Sequence, residues 1–117
     1  MNKSLPALLY TTKEGRRVYE FQAIINQRSI EEIHIDPHYE EAHKNYMTDE
    51  MIYNFAWELA YISDFDFESR KDDWEYYSYI TWIDWRAYEM SWCLKDNGNF
   101  LGVRSCYRRS KYDKEHK

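Results

Sequence analysis

Chain breakers are scarce in this sequence, with three glycines and two prolines in 117 residues. Each one present therefore carries weight, and no low-complexity tract divides the chain, so a single domain over 1–117 is expected. Cysteine is as scarce: Cys93 and Cys106 make no disulfide framework and match no metal-ligand spacing. No run approaches the ~20 apolar residues of a membrane span, and the stretch from Leu5 to Leu9 is too brief for a signal-peptide core. The expectation is a cytoplasmic protein without membrane contact. The phosphate-binding Gly loop, the G-x-S-x-G elbow and a Cys placed beside a His are also missing, and no cofactor is expected.

Basic charge is in short supply overall, 16 Lys and Arg against 21 Asp and Glu for a net charge of -5, which argues against a protein built mainly to grip nucleic acid. The distribution is uneven. Residues 1–17 carry +3, residues 104–117 carry +4, and the segment between carries -12, so termini that lie together would form a basic patch on an acidic body.

What is abundant is apolar and aromatic: hydrophobic residues are 44% of the chain, enough for a packed core, with five Trp and twelve Tyr. Arg17 to Ile25 alternates, with Tyr19, Phe21, Ala23 and Ile25 on one side and Glu20 and Gln22 on the other, as a half-buried strand does. Asn26 to Ser29 forms a turn, and Ile30 to Ile35 alternates again with Ile33 and Ile35 inward and Glu32 and His34 outward. Asp36-Pro37 reads as an N-cap followed by a first-turn proline, opening a short helix to His43 or Lys44. Thr48 caps a second helix: Asp49 and Glu50 suit its positive end, and Met51, Ile52, Phe55, Ala56, Leu59 and Ala60 recur at helical spacing over 48–62. Asp64 to Asp73 is acidic and irregular, and reads as an exposed connection.

From Trp74 to Arg109 the pattern is three antiparallel strands. Asn97-Gly98 is a type I′ hairpin signal, since both central residues of that turn need positive φ. If it closes a two-residue loop, Leu94 faces Leu101, Trp92 faces Val103, Met90 faces Ser105 and Tyr88 faces Tyr107 on the core side. The other side pairs Cys93 with Gly102, Ser91 with Arg104 and Glu89 with Cys106. The thiols then share a face about 13 Å apart at ~3.3 Å per residue, too far for a disulfide. Trp74 to Ile83 turns back through Asp84-Trp85 in either of two registers. The expected fold class is α+β, one antiparallel or mixed sheet in the order β-β-α-α-β-β-β with the 48–62 helix packed on one face.

Three constellations carry chemistry. His34, His38 and His43 fall within ten residues among Asp36, Glu40 and Glu41, but Pro37 separates the first two and the last two sit roughly 140° apart around a helix, so no metal is expected. Exposed or capping histidines are the plainer alternative to an acid/base role for His38. In the C-terminal strand, Arg104, Tyr107, Arg108, Arg109 and Lys111 alternate guanidinium groups with an aromatic, a set that can clamp phosphate, stack on a base or move a proton. The alternative is a basic strand neutralising the acidic body, for instance by pairing Arg104 or Arg108 with Glu89. The third is the row of rings from Tyr76 to Trp92. One helix cannot cover both faces of such a sheet, so Trp74, Tyr77, Trp82 and Trp85 are candidates for a protein-binding patch, a homodimer contact included.

The run Tyr88 to Lys111 places a Tyr at the start of an apolar strand, then an acidic Asn-Gly turn, a Gly-Val strand and a terminal Tyr-Arg-Arg. Over about a fifth of the chain it resembles the last hairpin of RelE/ParE-like toxins, in the barnase, EndoU, colicin and RelE ribonuclease class. The resemblance implies a metal-independent ribonuclease with an antitoxin or other cognate protein as partner and RNA as substrate. It makes Arg104, Arg108 and Arg109 candidates for phosphate contact, with Lys111 beside them, and Tyr107 a candidate for proton transfer or base stacking. Tyr107, Arg108, Arg109 and His38 are the expected catalytic set, His38 or His43 serving only if the fold brings them to that sheet. The chain departs from that family in opening on strands. Its acidic, aromatic middle fits a second expectation, a non-catalytic immunity protein or inhibitor that covers a basic protein.

Overall fold

The computed structural model describes residues 3–62 and 64–115; Met1 of the N-terminal run and Lys117 of the basic C-terminal segment lie outside them. The chain is α+β, with a seven-stranded mixed sheet and two short helices. In chain order the strands are β1 (Leu8–Thr11), β2 (Arg17–Ile25), β3 (Arg28–Ile35), β4 (Ser69–Lys71), β5 (Trp74–Ile83), β6 (Arg86–Lys95) and β7 (Phe100–Arg108). After β3 come one turn of 3-10 helix (Pro37–Tyr39), α1 (Glu40–His43) and α2 (Asp49–Leu59). The spatial order is β1-β2-β3-β7-β6-β5-β4. Two antiparallel meanders thus meet at a parallel seam, where Glu32 to Ile35 of β3 lies beside Phe100 to Val103 of β7. The expected order lacked two strands. β1 is the missing N-terminal edge, and β4 lies inside the acidic stretch read as irregular.

Turn chemistry explains much of the register. Asn26 and Gln27 both take positive φ, 50° and 67°, closing the β2–β3 hairpin between Ile25 and Arg28 as a primed turn does. Asp84 at φ 57° turns β5 into β6 with Ile83 opposite Arg86, which selects one of the two open registers. The β6–β7 connection departs from the type I′ expectation. Asn97 has φ 60° but Gly98 does not have positive φ. Gly98 is needed for room instead, because a Cβ there would come 3.1 Å from Lys95 Cβ and 3.2 Å from its carbonyl oxygen.

The core lies on one face of the sheet. Phe21, Ile25, Ile33, Ile35, Met90, Trp92, Leu94, Leu101 and Val103 are buried there, in one cluster with Ile52, Phe55, Ala56 and Leu59 of α2. The helix is shorter than 48–62, but it begins where expected, with the Thr48 hydroxyl accepting from Met51 N–H at 3.2 Å. Asp36 likewise caps the 3-10 turn by accepting from His38 N–H. Among the described residues, no helix is long and apolar enough to cross a membrane.

A β-bulge in β7 reorders the face assignments. Leu94 to Trp92 pairs with Leu101 to Val103 as the hairpin predicts, but Ser91 then faces Ser105, which leaves Arg104 as the extra residue. Every later residue moves by one. Cys106 joins the core opposite Met90, Arg108 comes opposite Tyr88, and Tyr107 comes opposite Glu89. The two free thiols therefore lie on opposite faces of the sheet, not on one. Tyr107 leaves the core side to which the unbulged register assigned it.

Candidate functional site

On the face opposite α2, alternation along the central strands presents His34, Tyr76, Cys93, Phe100 and Gly102 around a groove of about 290 Å³, with Arg16, Asp36, Trp74 and Arg104 also lining it. Gly102 forms its floor beside Cys93. A Cβ on Gly102 would meet Cys93 Sγ at 2.8 Å, so the thiol occupies the space a side chain would take. Phe100 is the central wall: its ring stacks on His34 at 4.1 Å and meets Trp74 edge-on at 5.8 Å. Lys95 lies 5.6 Å from the Trp74 ring. The bulge projects Arg104 over Tyr76, with its guanidinium 4.7 Å from the ring centroid.

Two titratable groups in the groove are held neutral. Burial lowers the His34 pKa despite the opposing pull of Glu32, so its 3.1 Å contact with Glu32 is a hydrogen bond from a neutral ring. Tyr10 also donates to that carboxylate at 2.9 Å. Burial pushes the Cys93 thiol up to about 11 against the pull of Arg104 and Arg16, which rules it out as a thiolate nucleophile at neutral pH. Arg104 differs from its neighbours: no carboxylate among the described residues lies within 4.0 Å of its guanidinium. Arg16 has Asp36 and Glu14 at 3.9 Å each.

The other C-terminal arginines are engaged internally. Arg108 forms a bidentate pair with Asp113 at 2.9 and 2.8 Å, and Asp113 also accepts from Ala87 N–H at 2.7 Å, so this pair fastens the C-terminal turn to β6. Arg109 pairs with Glu89, and its guanidinium lies 5.0 Å from the Tyr112 ring. The neutralising ion pair on Glu89 is thus made by Arg109, not by Arg104 or Arg108. Tyr107 stacks on His43 at 5.7 Å, and the Tyr46 hydroxyl accepts from Arg108 N–H while lying 2.9 Å from His43 Nδ1. His38 is not part of this group. It is exposed, 4.0 Å from Glu41, over a depression lined by Asp36, Pro37, Glu40 and Lys44. Lys111 is exposed beside Tyr112. The structure therefore joins His43, not His38, to Tyr107, and separates Arg104 from Arg108.

The aromatic candidates divide three ways. Trp74 enters the groove. Tyr77 is a core residue, 3% exposed and stacked on Trp92 at 4.1 Å, so it corrects the expectation that it presents itself to a partner. Trp82 and Trp85 lie at the far end of β5 and its turn: the Trp82 indole donates to Tyr112 O at 3.0 Å, and Arg86 lies over Trp85. One lysine from each basic terminal segment also lies at this end. Lys114 covers Trp82 at 4.4 Å, and Lys3 and Trp82 line one groove beside α2.

Asp49 is the buried charge that sequence reasoning treated only as a helix-end residue. Arg17 donates to it through Nε at 2.7 Å and Nη2 at 2.9 Å, Tyr19 at 2.7 Å and Tyr39 at 2.6 Å. Each carboxylate oxygen already accepts two hydrogen bonds, which leaves no lone pair for a substrate. Burial would raise its pKa, but Arg17 and the two phenols outweigh burial and hold it below the usual value. This node anchors α2 to β2. Among the described residues, no three His, Cys, Asp or Glu side chains converge as a metal site would require. The groove residues that sequence reasoning missed are Arg16, Phe100 and Gly102, and it grouped His34 with His38 and His43 rather than with the groove. A glycine in the interior of a strand was the available signal, since it marks a bulge or a close approach. No family model, no curated protein and no solved structure matches this chain.

Proposed function

We propose that this chain is a non-catalytic binding protein that holds an anionic group of its partner in the open-face groove beside Gly102. One observation carries the reading. Arg104 is supported by Tyr76 and has no carboxylate partner among the described residues, whereas Arg108 and Arg109, the arginines a ribonuclease would spend on phosphate, are committed to Asp113 and Glu89. A guanidinium presented next to aromatic walls is a common anchor at binding surfaces. The test compares material that co-purifies with the wild-type chain and with Arg104→Glu, alongside incubation of both with total RNA. Loss of the co-purifying partner from the variant, with RNA intact throughout, is expected. Identical co-purification from both proteins sinks the reading.

A second reading, the RelE-like ribonuclease with an antitoxin partner, is favoured by one contact, the His43 ring against Tyr107. It sets an acid/base group beside a phenol and near the Arg109–Glu89 pair. RNA cleavage that survives Arg104→Glu and disappears in Tyr107→Phe and His43→Ala is its signature.

A further inference from the structure

Resting on the groove as a binding site, we infer that its ligand is a nucleoside 5′-monophosphate, either free or as the phosphorylated end of a single strand. Size comes first. About 290 Å³ is at the lower limit of ligand pockets, roughly 300–1,000 Å³, and suits one base with its sugar phosphate, not a folded chain. The walls come second. Phe100, the neutral His34 stacked on it and Trp74 edge-on to it form an uncharged aromatic surface, and such rings hold bases of any identity by stacking. The charge comes third. Arg104 lies over Tyr76 with no carboxylate partner among the described residues, and a planar guanidinium matches two phosphate oxygens at once. Asp36 on the rim caps His38 and lies 3.9 Å from Arg16, so Arg104 is the groove guanidinium with no carboxylate within 4.0 Å among the described residues, and a phosphate is its complement.

The surroundings argue against a long polyanion. The sheet edge next to β5 carries Glu68, Asp72 and Asp73 around β4, with Arg70 drawn to Glu75 and Asp96. A strand of RNA running off the groove in that direction meets repulsion at each phosphate.

The experiment is calorimetric titration of the full chain with AMP, GMP, CMP and UMP, with adenosine and inorganic phosphate as controls and a 5′-phosphorylated trinucleotide as a separate arm. At least one mononucleotide is expected to bind with Kd below about 1 mM, and the two controls about tenfold more weakly or not at all. Arg104→Ala and Trp74→Ala each weaken that binding about tenfold, and Lys71→Ala leaves it unchanged. Tighter binding of the free nucleotide or of the trinucleotide assigns the source. Absence of binding by all four nucleotides at millimolar concentration overturns the inference, as does binding indifferent to both Arg104→Ala and Trp74→Ala. If nucleotides fail while Arg104→Glu still loses a co-purifying partner, the ligand class falls and the broader binding reading stands.

Discussion

On the helix-covered side of the sheet Tyr77 stacks face to face on Trp92 at 4.1 Å, while on the open side Tyr76, one residue earlier, carries the Arg104 guanidinium 4.7 Å from its ring. The two tyrosines differ only in which way the pleat turns them. One side consumes rings as core volume, with Trp92 fully buried and Phe65 also against it at 5.1 Å. The other leaves rings at a groove and adds cations. The surplus of aromatic residues is thus divided between the two faces, and under the proposed binding role substitutions on the two sides should separate stability from binding.

The largest effect is expected at Trp92. Trp92→Ala empties the most voluminous fully buried side chain and should cost about 3–5 kcal/mol, on the order of half the stability of an ordinary domain. Denaturant unfolding reads this directly. A loss below about 1 kcal/mol would mean that the cluster around Trp92 does not carry the core.

Asp49 follows, at the margin of that same side. Asp49→Asn removes the charge that Arg17 is held against, and although Arg17 keeps Glu40 at 3.0 Å, a broken buried pair should still cost about 3 kcal/mol. The pH dependence has a definite sign. The folded carboxyl titrates below its unfolded value of about 3.9, so its contribution is present above that pH and is lost as the pH falls through the folded pKa. Acid unfolding curves of wild type and Asp49→Asn should therefore converge at low pH. Curves that stay parallel down to about pH 2 contradict the assignment.

These side-specific expectations depend on how far the two faces could be read in advance. β2 and the turn-proximal half of the β6–β7 hairpin were legible because alternation and a turn residue agree there, and α2 because Thr48, Asp49 and Glu50 announce its start. β1 and β4 were not, since Leu8–Thr11 and Ser69–Lys71 are too short for a period and are fully exposed, so only pairing with a neighbour makes them strands. The parallel seam between β3 and β7 is non-local and leaves no trace in either segment. The bulge had the widest consequence. One extra residue at Arg104 carries no local signature, yet it exchanges the faces of Cys106, Tyr107 and Arg108. Arg104 was legible as a candidate from the basic, aromatic pattern of the C-terminal strand and Trp74 from the crowding of rings on adjacent strands, but their companionship with His34, Phe100 and Gly102 required the seam.

A smaller effect sharpens the comparison at the groove floor. Gly102→Ala places a methyl group 2.8 Å from Cys93 Sγ, a crowding that costs about 1–3 kcal/mol. Adding Cys93→Ala removes the obstructing sulfur, and a double-mutant cycle should return a favourable coupling of about 1 kcal/mol or more. Additive losses would show that the floor is not set by this contact.

The smallest stability effect belongs to Arg104. Its guanidinium is exposed and has no acid partner among the described residues, so Arg104→Ala gives up little more than a surface cation–π contact, and unfolding should shift by about 0.5 kcal/mol or less. Arg108→Ala is the informative contrast, because it leaves Asp113 and the C-terminal turn without their bidentate partner and should cost more. A guanidinium that contributes almost nothing to the fold, while Arg108 in the same strand fastens the chain, is what the proposed binding role requires. If Arg104→Ala instead destabilises the protein as much as Arg108→Ala does, that distinction disappears and the open face becomes as structural as the covered one.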